Sequence, residues 1–301
     1  MKIAAILTCF NRREKTLSCL KALLMAIEAH HARQEENISL SAFLTDDGCT
    51  DGTVEAVRQL MKGRNLRIIQ GDGHLYWAGG MRAAWREAMA HDSHDYFLLL
   101  NDDTTIHPHC LTELFSAERY CETAFGQEGI VSGITCAPGD PMKITYGGDV
   151  IPNKFSGRSI RLGVSESPRM VDVTNANILL VPGSVVGTIG IFHDGFSHSR
   201  ADNDYSMLAR RKGIPVVITA GICGECENDH GDPEELRQKI ISMTLAERKA
   251  YFRHPLHSTS DYLTFIRRNA PLRYPLSCLF SAMRTYLPRL YYIINGARGV
   301  S

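Results

Sequence analysis

The run Leu98-Leu-Leu-Asn-Asp-Asp-Thr104 constrains the fold more than any other stretch of the chain. Tyr96–Leu100 is almost wholly apolar, the pattern of a strand covered on both faces, and it delivers Asn101, Asp102 and Asp103 to its carboxyl end. Carboxylates set together there are costly unless they are solvated or hold a cation. The same layout recurs upstream. Lys2–Phe10 reads as a strand broken at Asn11–Arg13, and a helix follows through Leu17, Leu20, Leu23, Leu24 and Ile27. Leu40–Leu44 reads as a second strand, ending in the turn cluster Thr45–Thr53; a helix through Val54, Val57, Leu60 and Met61 leads to a third strand at Leu66–Gln70. Met81–Ala90 has a helical pattern. Strands alternating with helices predict a mainly parallel α/β sheet with right-handed crossovers. Such sheets bind ligands at the carboxyl ends of their strands. The polar clusters Thr8–Arg12, Asp46–Thr53 and Asn101–Thr104 all fall at those ends.

The second half is less regular. Gly126–Asp172 is richer in Gly and Pro, with strand fragments such as Ile130–Thr135. A strand and the start of a helix are expected over Asn177–Val186, a helix over Tyr205–Arg211 and a last strand over Pro215–Ala220. A boundary near Gly231–Pro233 separates this body, residues 1–231, from a helical C-terminal extension, residues 232–301, punctuated by Pro255, Pro271, Pro275 and Pro288. The whole chain balances 33 basic against 33 acidic side chains, but residues 262–301 hold six arginines and no acid. The remaining residues then carry 33 acidic against 27 basic groups, a net of −6. An acidic body argues against nucleic acid. A basic tail with Tyr, Leu, Phe and Ile between its arginines suits either a membrane surface or a helical extension packed back on the body. No apolar run reaches the length of a spanning helix, and Ile3–Phe10 has the look of a strand and not of a signal peptide. Nine scattered cysteines argue for a reducing cytoplasm over a disulfide framework.

Hard oxygen donors with open positions suit Mg²⁺ or Mn²⁺ carrying a substrate's phosphates; the plainer reading of Asn101–Asp103 is an Asx turn. Asp46-Asp47-Gly48-Cys49-Thr50-Asp51-Gly52-Thr53 adds carboxylates to the same edge, or caps the next helix. Gly79-Gly80-Met81-Arg82 opens a helix with free backbone and a cation, suited to a diphosphate, or forms an ordinary tight turn. Ala201-Asp202-Asn203-Asp204 precedes a helix, where aspartates often cap. Cys223-Gly-Glu-Cys226 lacks the second ligand pair of a structural zinc site. Tyr76 and Trp77 offer a platform for a sugar or base, or core packing.

Taken together, these pieces resemble the family 2 glycosyltransferases of GT-A fold over residues 2–230. They are the first strand into Thr8-Cys-Phe-Asn-Arg12, the Asp-Asp-Gly-x-Thr-Asp-Gly-Thr run, Asn101-Asp-Asp103 in place of Asp-x-Asp, and Val181–Gly190 leading into Phe196–Tyr205 and Arg210. The order is similar to bacterial rhamnosyltransferase-like polysaccharide enzymes. The resemblance implies a GT-A (nucleotide-diphospho-sugar transferase) fold and an inverting, metal-dependent hexosyl transfer. The donor would be a UDP- or dTDP-linked sugar. The acceptor would be a hydroxyl of a lipid-linked glycan, in O-antigen or other cell-envelope polysaccharide synthesis. It implies that Thr8, Arg12, Asp46, Asp47, Gly79, Gly80, Arg82, Asn101 and Asp102 bind the nucleotide sugar. Asp103 and His230 would hold Mg²⁺ or Mn²⁺, and Asp202, with Asp204 as substitute, would be the base. Ala201 stands where the family has Glu, and Asn101 where it has the first Asp. Two alternatives follow: a sugar-phosphate nucleotidyltransferase, whose Gly-rich basic loop Thr8–Arg13 lacks, and a non-catalytic sugar-nucleotide-binding relative. The expected location is the cytoplasm, with peripheral contact to the inner membrane face through residues 262–301.

Overall fold

The computed structural model describes residues 1–33, 37–153, 158–228 and 231–296. The strands, in chain order, are β1 (Lys2–Cys9), β2 (Ser39–Asp46), β3 (Asn65–Gln70), β4 (Tyr96–Leu100), β5 (Thr105–Ile106), β6 (Ile130–Ala137), β7 (Asp140–Tyr146), β8 (Gly148–Asn153), β9 (Arg158–Arg161), β10 (Arg169–Met170), β11 (Val173–Thr174), β12 (Ile178–Pro182) and β13 (Val216–Glu225). The helices of the body are α1 (Arg13–Ala32), α2 (Thr53–Leu60), α3 (Tyr76–His91), α4 (Cys110–Phe125), α5 (Gly183–Ile189) and α6 (Ala201–Arg211). Five more follow: α7 (Pro233–Ser242), α8 (Leu245–Arg253), α9 (Thr259–Asn269), α10 (Tyr274–Tyr286) and α11 (Pro288–Asn295).

The main sheet runs β10-β13-β6-β12-β4-β1-β2-β3, with β5 on β13 and β7 on β6. Its β4-β1-β2-β3 half is parallel throughout, whereas β12 is antiparallel to both β4 and β6. A small second sheet pairs β11, β8 and β9. Side-chain alternation along β1 shows why its buried stretch Ile3–Leu7 is apolar at every position. Ile3, Ala5, Leu7 and Cys9 enter the core beneath α1, α2 and α4. Ala4 and Ile6 enter the core beneath α3, α5 and α6, which is built around the fully buried Trp85. The result is a GT-A fold with a helical C-terminal region.

Most expected elements are present, with longer bounds. The exceptions have local causes. The turn expected from Thr45 begins only after Asp46, because β2 continues to pair with β3 through Asp46↔Gln70. Helix α3 starts at Tyr76, five residues before its expected start at Met81, so Gly79 and Gly80 lie inside it. Helix α6 starts at Ala201, so Asp202 and Asp204 lie in its first turn. α4 was not anticipated. None of the nine cysteines is in a disulfide. Beyond residue 231, Ile240, Phe252, Tyr291 and Tyr292 form a small core of their own. Among the described residues, no helix is long and apolar enough to cross a membrane.

Candidate functional site

Parallel pairing sets the carboxyl ends of β4, β1 and β2 side by side, with Ile6 opposite Leu99 and Cys9 opposite Asp46. Arg12, in the turn after β1, reaches across to β4. Its Nη1 donates to Asp103 Oδ2 at 2.7 Å and to Asp102 Oδ1 at 3.2 Å. Thr16 Oγ1, on the first turns of α1, donates to Asp102 Oδ2 at 3.3 Å. Asp102 is 6% exposed, and this burial, against the opposing pull of Arg12, raises its pKa to about 6. Asp103 is the more open carboxylate. Cys226, after β13, faces its Oδ1 at 3.8 Å, and a shallow depression bounded by Lys15, Ser18, Asp103, Cys226 and Glu227 opens there.

Asn101 ties this end of β4 to the second half of the chain. Its side-chain oxygen accepts from Trp77 Nε1 at 2.7 Å, and its N–H donates to Asn177 O at 3.1 Å. The residue beside Asn177 meets Asp202: Ala176 N–H donates to Asp202 Oδ2 at 3.1 Å, while Asn203 N–H donates to Oδ1 at 2.8 Å. One backbone step thus separates the partner of Asn101 from the partner of Asp202. Burial raises the Asp202 pKa, with the two backbone donors and Arg200 opposing. The structure therefore gathers Arg12, Asn101, Asp102 and Asp103 at the end of β4 and ties Asp202 to it through Ala176 and Asn177.

Other expected positions serve the scaffold. Asp47 is 4% exposed, and its carboxylate accepts from the N–H groups of Gly73, Leu75 and Tyr76 at 3.0, 3.2 and 2.9 Å. It therefore caps the entry to α3 and holds Tyr76 in a left-handed conformation, φ +53°. Gly80 is where α3 crosses β1: a Cβ there would stand 2.1 Å from Thr8 Oγ1. At Gly79 a Cβ would stand 3.3 Å from Leu75, at the start of the same helix. Gly80 serves helix–strand packing, and the N–H groups of both glycines are not those of a free loop. Arg82 is 9% exposed. It donates to the carbonyls of Phe196 and His193 at 2.7 and 3.2 Å and pairs with Asp194 at 3.3 Å, fastening the loop ahead of α6. Asp204 is 1% exposed; its carboxylate accepts from Arg268 Nε and Asn269 Nδ2 at 2.9 and 2.7 Å, which removes it as a substitute base. Thr8 lies half-buried under Gly80. Asp46 keeps its place at the end of β2, with Oδ1 accepting from Cys49 N–H at 2.7 Å. His230 lies outside the described residues.

The C-terminal region supplies groups not anticipated from the sequence. Asp261, on α9 and 2% exposed, accepts from the N–H groups of Ser197, His198 and Ser199 at 2.8–3.2 Å and from Ser197 Oγ at 2.9 Å. Arg200, next in that loop and left-handed at φ +67°, lays its guanidinium over the rings of Tyr262 and Phe265 at 5.5 and 5.4 Å. His254 meets the ring of Tyr76 edge-on at 5.7 Å. Helix α9 and its neighbours thus hold the loop that leads into α6 and Asp202. The one available signal was an aspartate, Asp261, at the start of a helix with Ser258 as its cap.

Residues 4–119 match the family model described as glycosyl transferase family 2. Among solved structures, the mannosyltransferase PcManGT from Pyrobaculum calidifontis, in complex with GDP-Man and Mn²⁺, is similar at TM-score 0.53 and 14% identity, over 98% of this chain and 79% of that one. TarS residues 1–349 from S. aureus, in complex with UDP-GlcNAc, is similar at TM-score 0.51 and 13% identity, over 89% and 72%. At such identities the likeness is one of fold. No curated protein matches the chain.

Proposed function

We propose, on the match of residues 4–119 to the glycosyl transferase family 2 model, that the chain is a rhamnosyltransferase-like enzyme that moves a hexose from a UDP- or dTDP-linked donor to a glycan hydroxyl, with inversion. The observation that carries this reading is the backbone link between Asp202 and the end of β4: Ala176 N–H donates to Asp202 and Asn101 N–H donates to the carbonyl of the adjacent Asn177. An alcohol is a poor nucleophile, and Asp202 would take its proton as the new bond forms, an effect of roughly 10²–10⁴ in rate. The raised pKa of Asp202 suits a base. One base acting opposite the leaving group gives in-line displacement and inversion. Asp46, at the end of β2, is the acceptor we assign to the donor's base.

The donor set at the end of β4 fits a hard divalent cation: two adjacent carboxylates, one nearly buried, are met by the Arg12 guanidinium. Asp103 and Asp102 would hold Mg²⁺ or Mn²⁺, which when bound supplies charge stabilisation to a departing diphosphate. Arg12 holds the two carboxylates together until then. Arg82 takes no part at the diphosphate, since it is committed to the 193–196 loop.

For the acceptor we propose a lipid-linked glycan of cell-envelope polysaccharide, reached by peripheral binding to the inner membrane face. The support is the surface of α10, α11 and the turns beside them. Leu272 and Ile293 are 93% and 76% exposed, Leu276, Leu279, Leu287 and Leu290 are also exposed, and Arg267 and Arg289 stand among them. The decisive test is Asp202→Asn. Transfer should fall by roughly 10²–10⁴ while donor binding, followed by calorimetry, is unchanged. Turnover at the wild-type rate would sink the assignment.

A further inference from the structure

The carboxyl ends of β1 and β2 hold a second donor cluster, Cys9, Cys49 and Asp46, of which the transfer reading uses only Asp46. Cys9 closes β1 and is 3% exposed; Asp46 closes β2 directly opposite it and is 4% exposed. Cys49 returns to the pair through a turn in which Gly48 is left-handed at φ +91° and Cys49 N–H donates to Asp46 Oδ1. Asn11 N–H points at Cys49 Sγ from 3.2 Å, and Asn11 Oδ1 accepts from Thr50 N–H at 2.7 Å, so the Cys49 sulfur is positioned from both sides. The two sulfurs stand 3.6 Å apart, far beyond the roughly 2.05 Å of a disulfide. Two thiolates bound at about 2.3 Å on a tetrahedral zinc are separated by about 3.8 Å. A ligand atom from each of Cys9, Cys49 and Asp46 lies within 4.8 Å of the others.

We propose that Cys9, Cys49 and Asp46 form a binding site for a thiophilic divalent cation of the zinc class, separate from the hard cation at Asp102 and Asp103. Binding converts two thiols and one carboxylate into three ligands: both S–H protons leave to solvent, two metal–sulfur bonds and one metal–oxygen bond form, and no electron is transferred. Three protein ligands leave a fourth position for water, as at exchangeable zinc sites. Sulfur donors select zinc or cadmium over magnesium, and the all-oxygen pair at Asp102 and Asp103 selects the reverse. The consequence for transfer rests on the donor reading above: an Asp46 carboxylate engaged by a metal cannot accept a hydrogen bond from the donor's base, so zinc acts as an inhibitor competing with the donor.

Cadmium reports thiolate ligation directly, through its ligand-to-metal charge-transfer absorption. The full chain, reduced and in excess Mg²⁺, should take up one Cd²⁺ with that band. Cys49→Ser, the least buried of the three positions to change, should weaken uptake on the order of 100-fold. Cys278→Ser, in α10 and away from the cluster, should bind as the unaltered chain does. Absence of the band in the unaltered chain, or its persistence in Cys49→Ser, overturns the site. In parallel, Zn²⁺ should raise the donor KM with kcat unchanged, and Cys49→Ser should lose that response. Cadmium uptake that depends on Cys49 while Zn²⁺ leaves the donor KM unmoved would uphold the metal site and refute the placing of Asp46 at the donor's base.

Discussion

Asp261 is the residue at which the C-terminal helices should prove indispensable to the body. Its two oxygens take three backbone N–H groups and one hydroxyl from consecutive residues of the 197–199 loop, at 2.8–3.2 Å and almost without solvent. In Asp261→Ala those three amides lose their acceptor, at about 1–3 kcal/mol for each buried unsatisfied donor. Water can reach part of the gap, so the expected loss is about 3–5 kcal/mol, the range found when one partner of a buried charged pair is removed. Asp261→Asn is a different case. Its amide oxygen can occupy the position of Oδ2, which serves all three N–H groups, and its NH₂ can then donate to Ser197 Oγ. What remains is the difference between charged and neutral acceptors, about 1 kcal/mol for each of three bonds, offset by no longer burying a charge. The net is about 1–2 kcal/mol. Urea melts of the full chain give both values from the midpoint and slope. Because the loop leads into Asp202, kcat should fall with stability in the Ala variant while donor affinity holds. An Ala loss below about 1 kcal/mol, or an Asn variant as damaged as Ala, refutes this account.

Three further outcomes follow from the same geometry. Excess chelator should abolish transfer, and either Mg²⁺ or Mn²⁺ should restore it, as read by nucleoside diphosphate release; full activity in chelator would remove the cation from Asp102 and Asp103. Gly80→Ala places a methyl 2.1 Å from Thr8 Oγ1 and 2.8 Å from its Cβ, so α3 must lift from β1 at a cost of about 1–3 kcal/mol by urea melt. Glu118, on α4, has its pKa raised to about 7, first by burial and then by Glu122 and Glu128. The folded chain therefore holds a proton that the unfolded chain, near 4.5, has released, and ionisation costs stability as pH rises through that window. Glu118→Gln should match the unaltered chain at pH 4, gain on it between about 4.5 and 7, and keep a constant advantage above; an equal Tm difference at all pH values would contradict this.

The sheet was legible because its signal is local. A strand covered on both faces must be apolar along its buried length, as Ile3–Leu7 of β1 and Tyr96–Leu100 of β4 are, and helices between strands dictate parallel pairing. The polar clusters at the ends of β1, β2 and β4 followed from that pattern. What the pattern could not show is which polar group meets which. The N-terminus of α3 offered no capping side chain nearby. Its cap is Asp47, 29 residues upstream of Tyr76, so the helix seemed to begin at Gly79-Gly80 and its glycines seemed to form a phosphate loop. Arg82 stands at the position of a cation near a helix start, yet its partners are two carbonyls more than a hundred residues away. Asp202 and Asp204 sit two apart on one helix and are equivalent in sequence. They diverge only because Arg268 and Asn269, sixty-four and sixty-five residues later, close over Asp204.

That closure also changes how the basic end of the chain acts. Counted by sequence, residues 262–301 present six arginines to any acidic surface. In the fold, Arg268 is bound to Asp204 and Arg284 lies over the ring of Phe252 at 4.2 Å, so two of the six belong to internal contacts. Each arginine near an anionic bilayer contributes about 1 kcal/mol. Of the rest, Arg298 lies outside the described residues and Arg267, Arg273 and Arg289 lie near helix ends; charge of this kind cannot alone produce firm attachment at physiological salt, where exposed charges are screened beyond about 8 Å. On the membrane reading proposed above, attachment would depend on the exposed leucines and isoleucines of α10, α11 and their flanking turns, with arginine setting orientation more than affinity. Helix α9 precedes this surface in the chain, packs on α6 and, through Asp261, holds the 197–199 loop that leads into Asp202, so the proposed membrane surface and the proposed base are joined through one helix.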